Sequence, residues 1–214
     1  MMSKAQIKID IVSDVVCPWC VIGYGRLKAA LANFHTKIDA NIVWHPFELN
    51  PSMSKEGENL RQHLSEKYGT TLEGSIKARA MLTEEGKKVG FKFDYFDDMK
   101  MLNTHQCHQL LHWAKDSGLQ NQLAETFFEH FFSNRGTFTE SELIHLVEKV
   151  GLNSLQAMTV LANKSYSEEV KLIEEHWHQR GIHGVPLIIF NGEQALSGAQ
   201  EIATFERVLN QYLK

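Results

Sequence analysis

Two cysteines that flank a Pro-Trp dipeptide, at positions 17–20, constrain this chain more than any other feature of its sequence. Before them, apolar and polar side chains alternate from Ile7 to Ile11, and this period of two predicts a strand. After them, apolar side chains recur at three- and four-residue steps from Tyr24 to Phe34, which predicts a helix. A second strand is predicted at 40–45. The cysteine pair therefore lies at the strand-to-helix turn of a strand–helix–strand unit.

This position favours redox chemistry over metal binding. A structural zinc site needs four ligands, and the third cysteine, Cys107, has no nearby cysteine partner. A CxxC pair between a strand and a helix is typical of a redox pair, the alternative being two structural cysteines. Cys17 falls at the predicted helix N-terminus, where free N–H groups and the helix dipole stabilise a thiolate. We predict that Cys17 is the attacking thiol and that Cys20, one turn along and more buried, is the resolving thiol.

The middle of the chain consists of polar segments rich in helix-forming residues and separated by glycines. Seven helices are predicted there, at 55–68, 73–89, 104–116, 119–133, 139–150, 154–163 and 167–178. Two pairs of adjacent phenylalanines, at 127–128 and 131–132, are four residues apart and indicate a buried helix face.

The strand pattern returns near the C-terminus, at 185–190 and 194–197, and a last helix is predicted at 201–213. The two strands are separated by Asn191-Gly192, which predicts a tight hairpin because both central residues must take positive φ.

The order of elements is βαβ, a helical block, then ββα, which is an α/β fold whose two ends build one sheet. We divide the chain into the N-terminal part of the sheet domain (1–47), an all-helical insertion (48–178) and the C-terminal part of the sheet domain (179–214).

Pro186 lies at the start of the first C-terminal strand, a position that tolerates proline. We consider it a candidate cis proline, the alternative being an ordinary trans proline in a turn. A proline here removes a backbone donor beside the cysteines, and Val185 would then offer its backbone N–H and C=O to a bound peptide.

The overall composition excludes several classes of protein. A formal net charge of −4 over 214 residues gives no basic field that would attract nucleic acid. A hydrophobic fraction of 43% excludes wholesale disorder. No stretch approaches the roughly 18–20 apolar residues that a membrane helix needs. Charged residues interrupt the apolar region that a secretory signal would require near the N-terminus, so we expect a cytoplasmic protein that does not bind membranes.

Several stretches together resemble one known family. Cys-Pro-Trp-Cys after a strand, the helical insertion and Gly-Val-Pro before a hairpin resemble the DsbA-like branch of the thioredoxin superfamily, and more closely its FrnE-type dithiol-disulfide oxidoreductases. The family-like stretches span almost the whole chain, at 14–20, 46–51, 108–114, 181–186 and 197–200. The resemblance implies a thioredoxin fold with a large helical insertion, an active Cys17/Cys20 pair and a cis Pro186.

The function implied is thiol–disulfide exchange with protein or peptide substrates. Candidate substrate-binding residues are Val185, Pro186, Pro18 and Trp19, and the Pro-Trp dipeptide would also control access to the thiols. The reactive group is the Cys17–Cys20 pair itself, so no separate cofactor is expected. Glutathione and a thioredoxin-type recycling system are candidate redox partners. In a reducing cytoplasm, reduction or isomerisation is favoured over net oxidation.

Two other functions remain open. The 2-hydroxychromene-2-carboxylate isomerases and kappa-class glutathione transferases share this architecture, bind glutathione and carry a serine where this chain has Cys17. Retention of both cysteines argues against that chemistry. The second alternative is a non-enzymatic chaperone or adaptor that uses the helical insertion as a peptide-binding surface.

The remaining candidates lie outside the motif. His105, His108 and His112 share one helix face and invite a metal hypothesis. Three ligands on successive turns of one helix cannot readily surround a single ion, so we predict packing and surface roles and no metal. Cys107 is predicted to be a small buried hydrophobe. His183 is interpreted as a loop residue, although its charged form would stabilise a thiolate if it approached one.

Overall fold

The computed structural model describes residues 4–213. The chain begins with strand β1 (Ala5–Ser13), helix α1 (Pro18–Ala32) and strand β2 (Ile38–Pro46). β1 and β2 are parallel, as a crossover through α1 requires. The predicted strand–helix–strand unit is therefore confirmed.

The C-terminal part of the chain completes the same sheet. It contains β5 (Leu187–Phe190), β6 (Gln194–Ser197) and helix α9 (Ile202–Gln211). β5 is antiparallel to both β1 and β6, so the strand order is β2-β1-β5-β6. The two residues of the connecting turn, Asn191 and Gly192, have φ values of 49° and 72°, which confirms the predicted hairpin.

Seven α-helices lie between β2 and β5 in the described part of the chain. They are α2 (Leu60–Tyr68), α3 (Leu72–Lys88), α4 (His105–Ala114), α5 (Gln120–Phe128), α6 (Glu140–Lys149), α7 (Ser154–Asn163) and α8 (Ser167–Gln179). A 3-10 turn (Lys115–Ser117) follows α4, and a π-helical turn (Glu129–Ser133) extends α5. The predicted helical insertion is confirmed, and its boundaries as a domain stay a prediction.

The predicted helix at 55–68 begins too early. Glu58–Asn59 instead forms a two-residue strand, β3, antiparallel to β4 (Lys100–Met101). The helix begins only after Asn59, whose side chain accepts the N–H groups of Arg61 and Gln62. The prediction for 55–59 is wrong because an N-cap and a distant strand partner override local helix propensity.

Helices cover both faces of the sheet. α1 and α9 pack against each other, whereas α4, α5 and α8 contact β2. Ile7, Ile9 and Ile11 of β1 are buried, as the alternating pattern predicts. Asp10 and Val12 on the opposite face are buried as well, because helices cover that side of the strand too. The four phenylalanines at 127–128 and 131–132 are also buried. The sheet and the insertion therefore share a continuous core, which holds the N-terminus of α1 between them.

Candidate active site

The four-residue cysteine motif forms the turn from β1 into α1. Cys17 is the N-cap residue of α1 and Pro18 is its first helical residue, where a missing N–H leaves no helical bond unmade. The Cys17 N–H donates to the Asp14 carbonyl (3.1 Å) and the Cys20 N–H donates to the Cys17 carbonyl (3.1 Å). These bonds hold Cys17 at the positive end of the helix dipole.

The two thiols differ in exposure. Cys17 is 4% exposed and Cys20 is fully buried, which confirms the predicted order, whereas Trp19 between them is 37% exposed. Both cysteines are free thiols. Burial raises the pKa of Cys20 well above its ordinary value, and the adjacent Cys17 sulfur raises it further. The Ser13 hydroxyl and the Asp14 backbone N–H oppose this effect, since they favour the Cys20 thiolate.

Val185 and Pro186 lie against the motif. The peptide bond between them is cis, as the resemblance predicts. The Cys17 thiol donates to the Val185 carbonyl (Sγ–O 3.6 Å). Within residues 4–213 the Val185 N–H has no hydrogen-bond acceptor. Pro186 is held by its carbonyl, which accepts the Gly198 N–H (2.8 Å). One free backbone donor thus lies beside the more exposed thiol.

The close approach of α1 to the cis proline requires a residue without a side chain. A Cβ built on Gly23 would lie 3.1 Å from Pro186 Cγ and 3.3 Å from the Ala199 Cα. The fold therefore brings together Cys17, Cys20, Val185 and Pro186, as predicted. His183 is exposed, and its ring lies 6.1 Å from that of His178, whereas the hydrogen-bond partner of Cys17 is Val185.

A group of buried charged residues directly behind the motif was not predicted. Asp14 is 1% exposed and His108, from α4, is 2% exposed. Asp14 Oδ2 accepts the Leu49 N–H (2.8 Å), and Asp14 Oδ1 lies 3.4 Å from His108 Nε2. The second distance is that of an ion pair without a normal hydrogen bond. A long-range contact thus ties the start of the insertion to the cysteine turn.

Three further ionisable side chains extend this group toward the surface. Glu48 Oε1 lies 2.6 Å from His105 Nδ1, and His105 Nε2 lies 2.8 Å from the Ser167 hydroxyl. The Glu48 N–H donates to Glu174 Oε1 (2.9 Å). We call Asp14, Glu48, His105, His108 and Glu174 the buried ionic cluster. The sequence contains little indication of this cluster, because Asp14 is typical of a residue that ends a strand and Glu48 of the first residue of a loop.

Burial and neighbouring charge set the ionisation of this cluster. Burial, the largest single cause, lowers the pKa of His108, but Asp14, Glu174 and Glu48 together outweigh it, so the pKa is raised overall. Burial raises the pKa of Glu174 to about 7, charged His108 lowers it, and Glu48 raises it further. Glu174 therefore holds a proton in the folded protein at pH values where it is ionised in the unfolded chain.

We expect a Glu174→Gln variant to lose part of the pH dependence of stability. The folded-state pKa of Glu174, about 7, lies above its ordinary value of 4.5, so its contribution to stability is present below 4.5 and is lost as the pH rises to 7. Glutamine mimics the protonated acid and still accepts the Glu48 N–H. The variant should match the wild type at pH 5 and exceed its unfolding free energy at pH 8 by on the order of 2–3 kcal/mol.

Urea unfolding at the two pH values measures this difference. Glu175→Gln removes an exposed carboxylate from the next position and should leave the pH dependence unchanged. Parallel pH profiles for the wild type and Glu174→Gln would contradict the prediction.

The three histidines on α4 pair with separate carboxylates. His105 faces Glu48, His108 faces Asp14, and His112 Nε2 lies 2.9 Å from Glu169 Oε2. Within residues 4–213 no group of three or more His, Cys, Asp or Glu side chains is arranged to hold a metal ion. The neighbouring Cys107 is fully buried, as predicted, and burial raises its pKa.

This fold and site define a class of protein: a thioredoxin-type sheet in which a CxxC turn at the start of α1 faces a cis proline, with helices inserted after β2. Residues 8–210 match the family described as the DSBA-like thioredoxin domain. The chain therefore belongs to the DsbA-like thioredoxin family.

Individual relatives have similar length and fold. The structure of a probable DsbA oxidoreductase, SCO1869 from Streptomyces coelicolor, superposes with a TM-score of 0.89 at 29% identity, covering 96% of this chain and 89% of that one. The Bacillus subtilis (strain 168) protein YwbO, described as uncharacterized, is 24% identical over 95% of this chain and 96% of its own length. The cytosolic disulfide reductase DsbM from Pseudomonas aeruginosa, solved with GSH, superposes with a TM-score of 0.63 at 13% identity, covering 96% and 98%.

One further property concerns membranes. Among the helices formed by residues 4–213, none has the length and apolar character needed to cross a bilayer.

Proposed function

We propose that this protein exchanges disulfides with protein or peptide substrates through the Cys17/Cys20 pair. The observation that carries the proposal is the position of the Cys17 thiol, at the N-cap of α1 and 3.6 Å from the carbonyl that precedes the cis proline. A helix N-terminus stabilises the anionic form of a sulfur nucleophile. The free N–H of Val185 supports binding of an extended peptide by backbone hydrogen bonds, and exposed Trp19 supplies an apolar contact beside it.

The reaction transfers two electrons and needs no further cofactor. The Cys17 thiolate attacks one sulfur of a substrate disulfide, forms a mixed disulfide and releases the other sulfur as a thiolate. The Cys20 thiolate then attacks Cys17, which releases the second substrate sulfur and leaves a Cys17–Cys20 disulfide. Because burial raises the pKa of Cys20, its deprotonation is expected to limit the second step at neutral pH.

The oxidised pair must be reduced again for turnover. Glutathione is our candidate for this role, supported by the similarity in fold to DsbM, whose structure contains GSH. A thioredoxin-type recycling system is the alternative donor. In a reducing compartment either donor would keep the Cys17/Cys20 pair reduced, so the pair would reduce or isomerise substrate disulfides.

Insulin reduction by dithiothreitol tests the proposal. The wild-type protein is expected to shorten the lag before the insulin B chain precipitates, and Cys17→Ala is expected to abolish this acceleration. Cys107→Ala, which removes a thiol that is fully buried in α4, is the matched control and should retain it. An equal rate for the wild type and Cys17→Ala would refute exchange. Suppression of aggregation that survives in Cys17→Ala would instead support the chaperone function.

A further inference from the structure

A buried arginine on α1 holds the segment that lies against the cis proline. Arg26 is 8% exposed. Its Nη1 donates to the carbonyl of Ala199 (2.7 Å), in the segment between β6 and α9. Its Nη2 lies 2.7 Å from Glu85 Oε2, in α3, and 3.0 Å from Oε1 of Glu201, the N-cap residue of α9. Arg26 therefore joins α1 both to the helical insertion and to the segment after β6.

The two carboxylates orient the guanidinium of Arg26. Charge-assisted hydrogen bonds to Glu85 and Glu201 offset the cost of removing the arginine charge from water. Glu85 is also held from outside by Lys88, at 2.6 Å. Because the guanidinium is planar and its Nη2 is held by these carboxylates, its Nη1 is directed at the Ala199 carbonyl.

The segment that Arg26 holds is in direct contact with the cis proline. The Gly198 N–H donates to the Pro186 carbonyl (2.8 Å). A Cβ built on Gly23 would lie 3.1 Å from Pro186 Cγ and 3.3 Å from the Ala199 Cα, so Pro186 and Ala199 pack on the same glycine of α1. A displacement of Ala199 away from α1 would therefore move Pro186 with it.

The same helix carries the thiol of Cys17 at its N-terminus. The Cys17 sulfur lies 3.6 Å from the Val185 carbonyl, and this distance depends on how closely Val185 and Pro186 approach α1. Two residues of α1 control that approach: Gly23 leaves the space for it, and Arg26 holds the neighbouring segment in place.

We propose that Arg26 is a positioning residue that sets the distance between the Cys17 sulfur and the Val185 backbone, and that it thereby favours extended peptide disulfides over small ones. A peptide that binds the Val185 backbone presents its disulfide to Cys17 only when the two are correctly spaced. A small disulfide has no peptide backbone to bind there and needs only the thiols. The inference rests on the proposed exchange reaction and names the residue that gives this reaction its preference for peptides.

Two substrates that release the same thiol test this preference. One is bis(2-hydroxyethyl) disulfide, and the other is a short extended peptide whose single cysteine is disulfide-linked to 2-mercaptoethanol. Pre-reduced protein is mixed with each substrate over a range of concentrations, and formation of the Cys17–Cys20 disulfide is followed by rapid alkylation and mass spectrometry. Each rate is divided by the rate of the same substrate with dithiothreitol, because the acidity of the leaving thiol alone changes exchange rates.

We expect Arg26→Gln to react about tenfold more slowly with the peptide, chiefly through a higher half-saturating concentration, because a small misplacement of binding groups is costly. Its rate with the small disulfide should stay within about twofold of the wild type, since the thiols themselves are unchanged. Arg207→Gln is the matched control. Arg207 is exposed on α9 and bonds to Thr204 of the same helix (3.1 Å), so this variant should keep the wild-type ratio of the two rates.

A second variant, Gly23→Ala, changes the same distance without removing a charge. The added Cβ would be close enough to Pro186 and Ala199 to displace them by a few tenths of an ångström. Alanine favours a helix more than glycine does, so the variant is expected to fold even if Arg26→Gln does not. It should show the same selective loss of rate with the peptide.

The two substrates separate the possible outcomes. An equal loss of rate on both in Arg26→Gln, together with a lower melting temperature, would show that the arginine only stabilises the fold and would overturn the inference. Wild-type rates with the peptide in Gly23→Ala would also overturn it, while leaving the exchange function intact. A wild-type protein whose Cys17/Cys20 pair is oxidised by neither substrate would refute the exchange function itself.

Discussion

A Cys20→Ala variant is expected to stop after the first half of the exchange and to accumulate a covalent adduct through Cys17. Cys17, the proposed attacking thiol, is at the helix N-terminus and next to the Val185 N–H, which has no acceptor within residues 4–213, so capture of a substrate is not expected to require Cys20. Release does require it, since Cys20 is the thiol within reach of Cys17. Adduct should therefore approach one substrate per chain, and turnover should fall to the rate set by external thiols.

The pre-reduced variant is incubated with a denatured protein whose disulfides are intact, and mass spectrometry under non-reducing conditions measures the adduct. Cys17→Ala is the matched control and should capture nothing, because its remaining CxxC thiol is fully buried. An adduct that forms through Cys20, or turnover in Cys20→Ala at the wild-type rate, would show that the roles of the two thiols are assigned wrongly.

An Asp14→Ala variant is expected to lose about 3–5 kcal/mol of unfolding free energy. The loss has two sources: the Leu49 N–H loses its acceptor, and His108 is left as a buried base without its counter-charge. Both partners belong to segments far from Asp14 in sequence, so the substitution should loosen the insertion from the cysteine turn. The backbone bond from Cys17 to the Asp14 carbonyl does not depend on the side chain and should persist.

Urea unfolding followed by circular dichroism measures the loss. Asp39→Ala removes an exposed aspartate from β2 and should change stability by less than about 0.5 kcal/mol. Asp14→Asn keeps an acceptor for Leu49 but not the charge, so it should lose less than Asp14→Ala. A double-mutant cycle with His108→Gln should give strong coupling. Additive losses would show that Asp14 and His108 do not act as a pair.

Much of the fold follows from local patterns. The alternation in β1, the Asn191-Gly192 turn and the helices of the insertion were predictable because each depends on residues close together in the chain. The boundary at 55–60 was not, since β3 exists only through its pairing with 100–101. The fully buried Cys107 could be predicted because a small apolar side chain on a helix has few other roles.

The candidate site also contains some features that local sequence predicts and others that depend on distant segments. The thiols of Cys17 and Cys20 are three residues apart, and their order of burial follows from the helix that begins between them. Asp14 and His108 are separated by a strand, a helix and half of the insertion, and no periodicity relates them.

The sequence by itself determined the cysteine motif and the order of strands and helices, because these depend on residue type and short spacing, and its resemblance to a known family predicted the fold. Only the tertiary structure decided which ionisable groups are removed from water and what they then face: an ion pair for Asp14 and a retained proton for Glu174. The physical reason is that the free energy of a charge depends on its desolvation and on its partners. Both are properties of packing between segments distant in the chain.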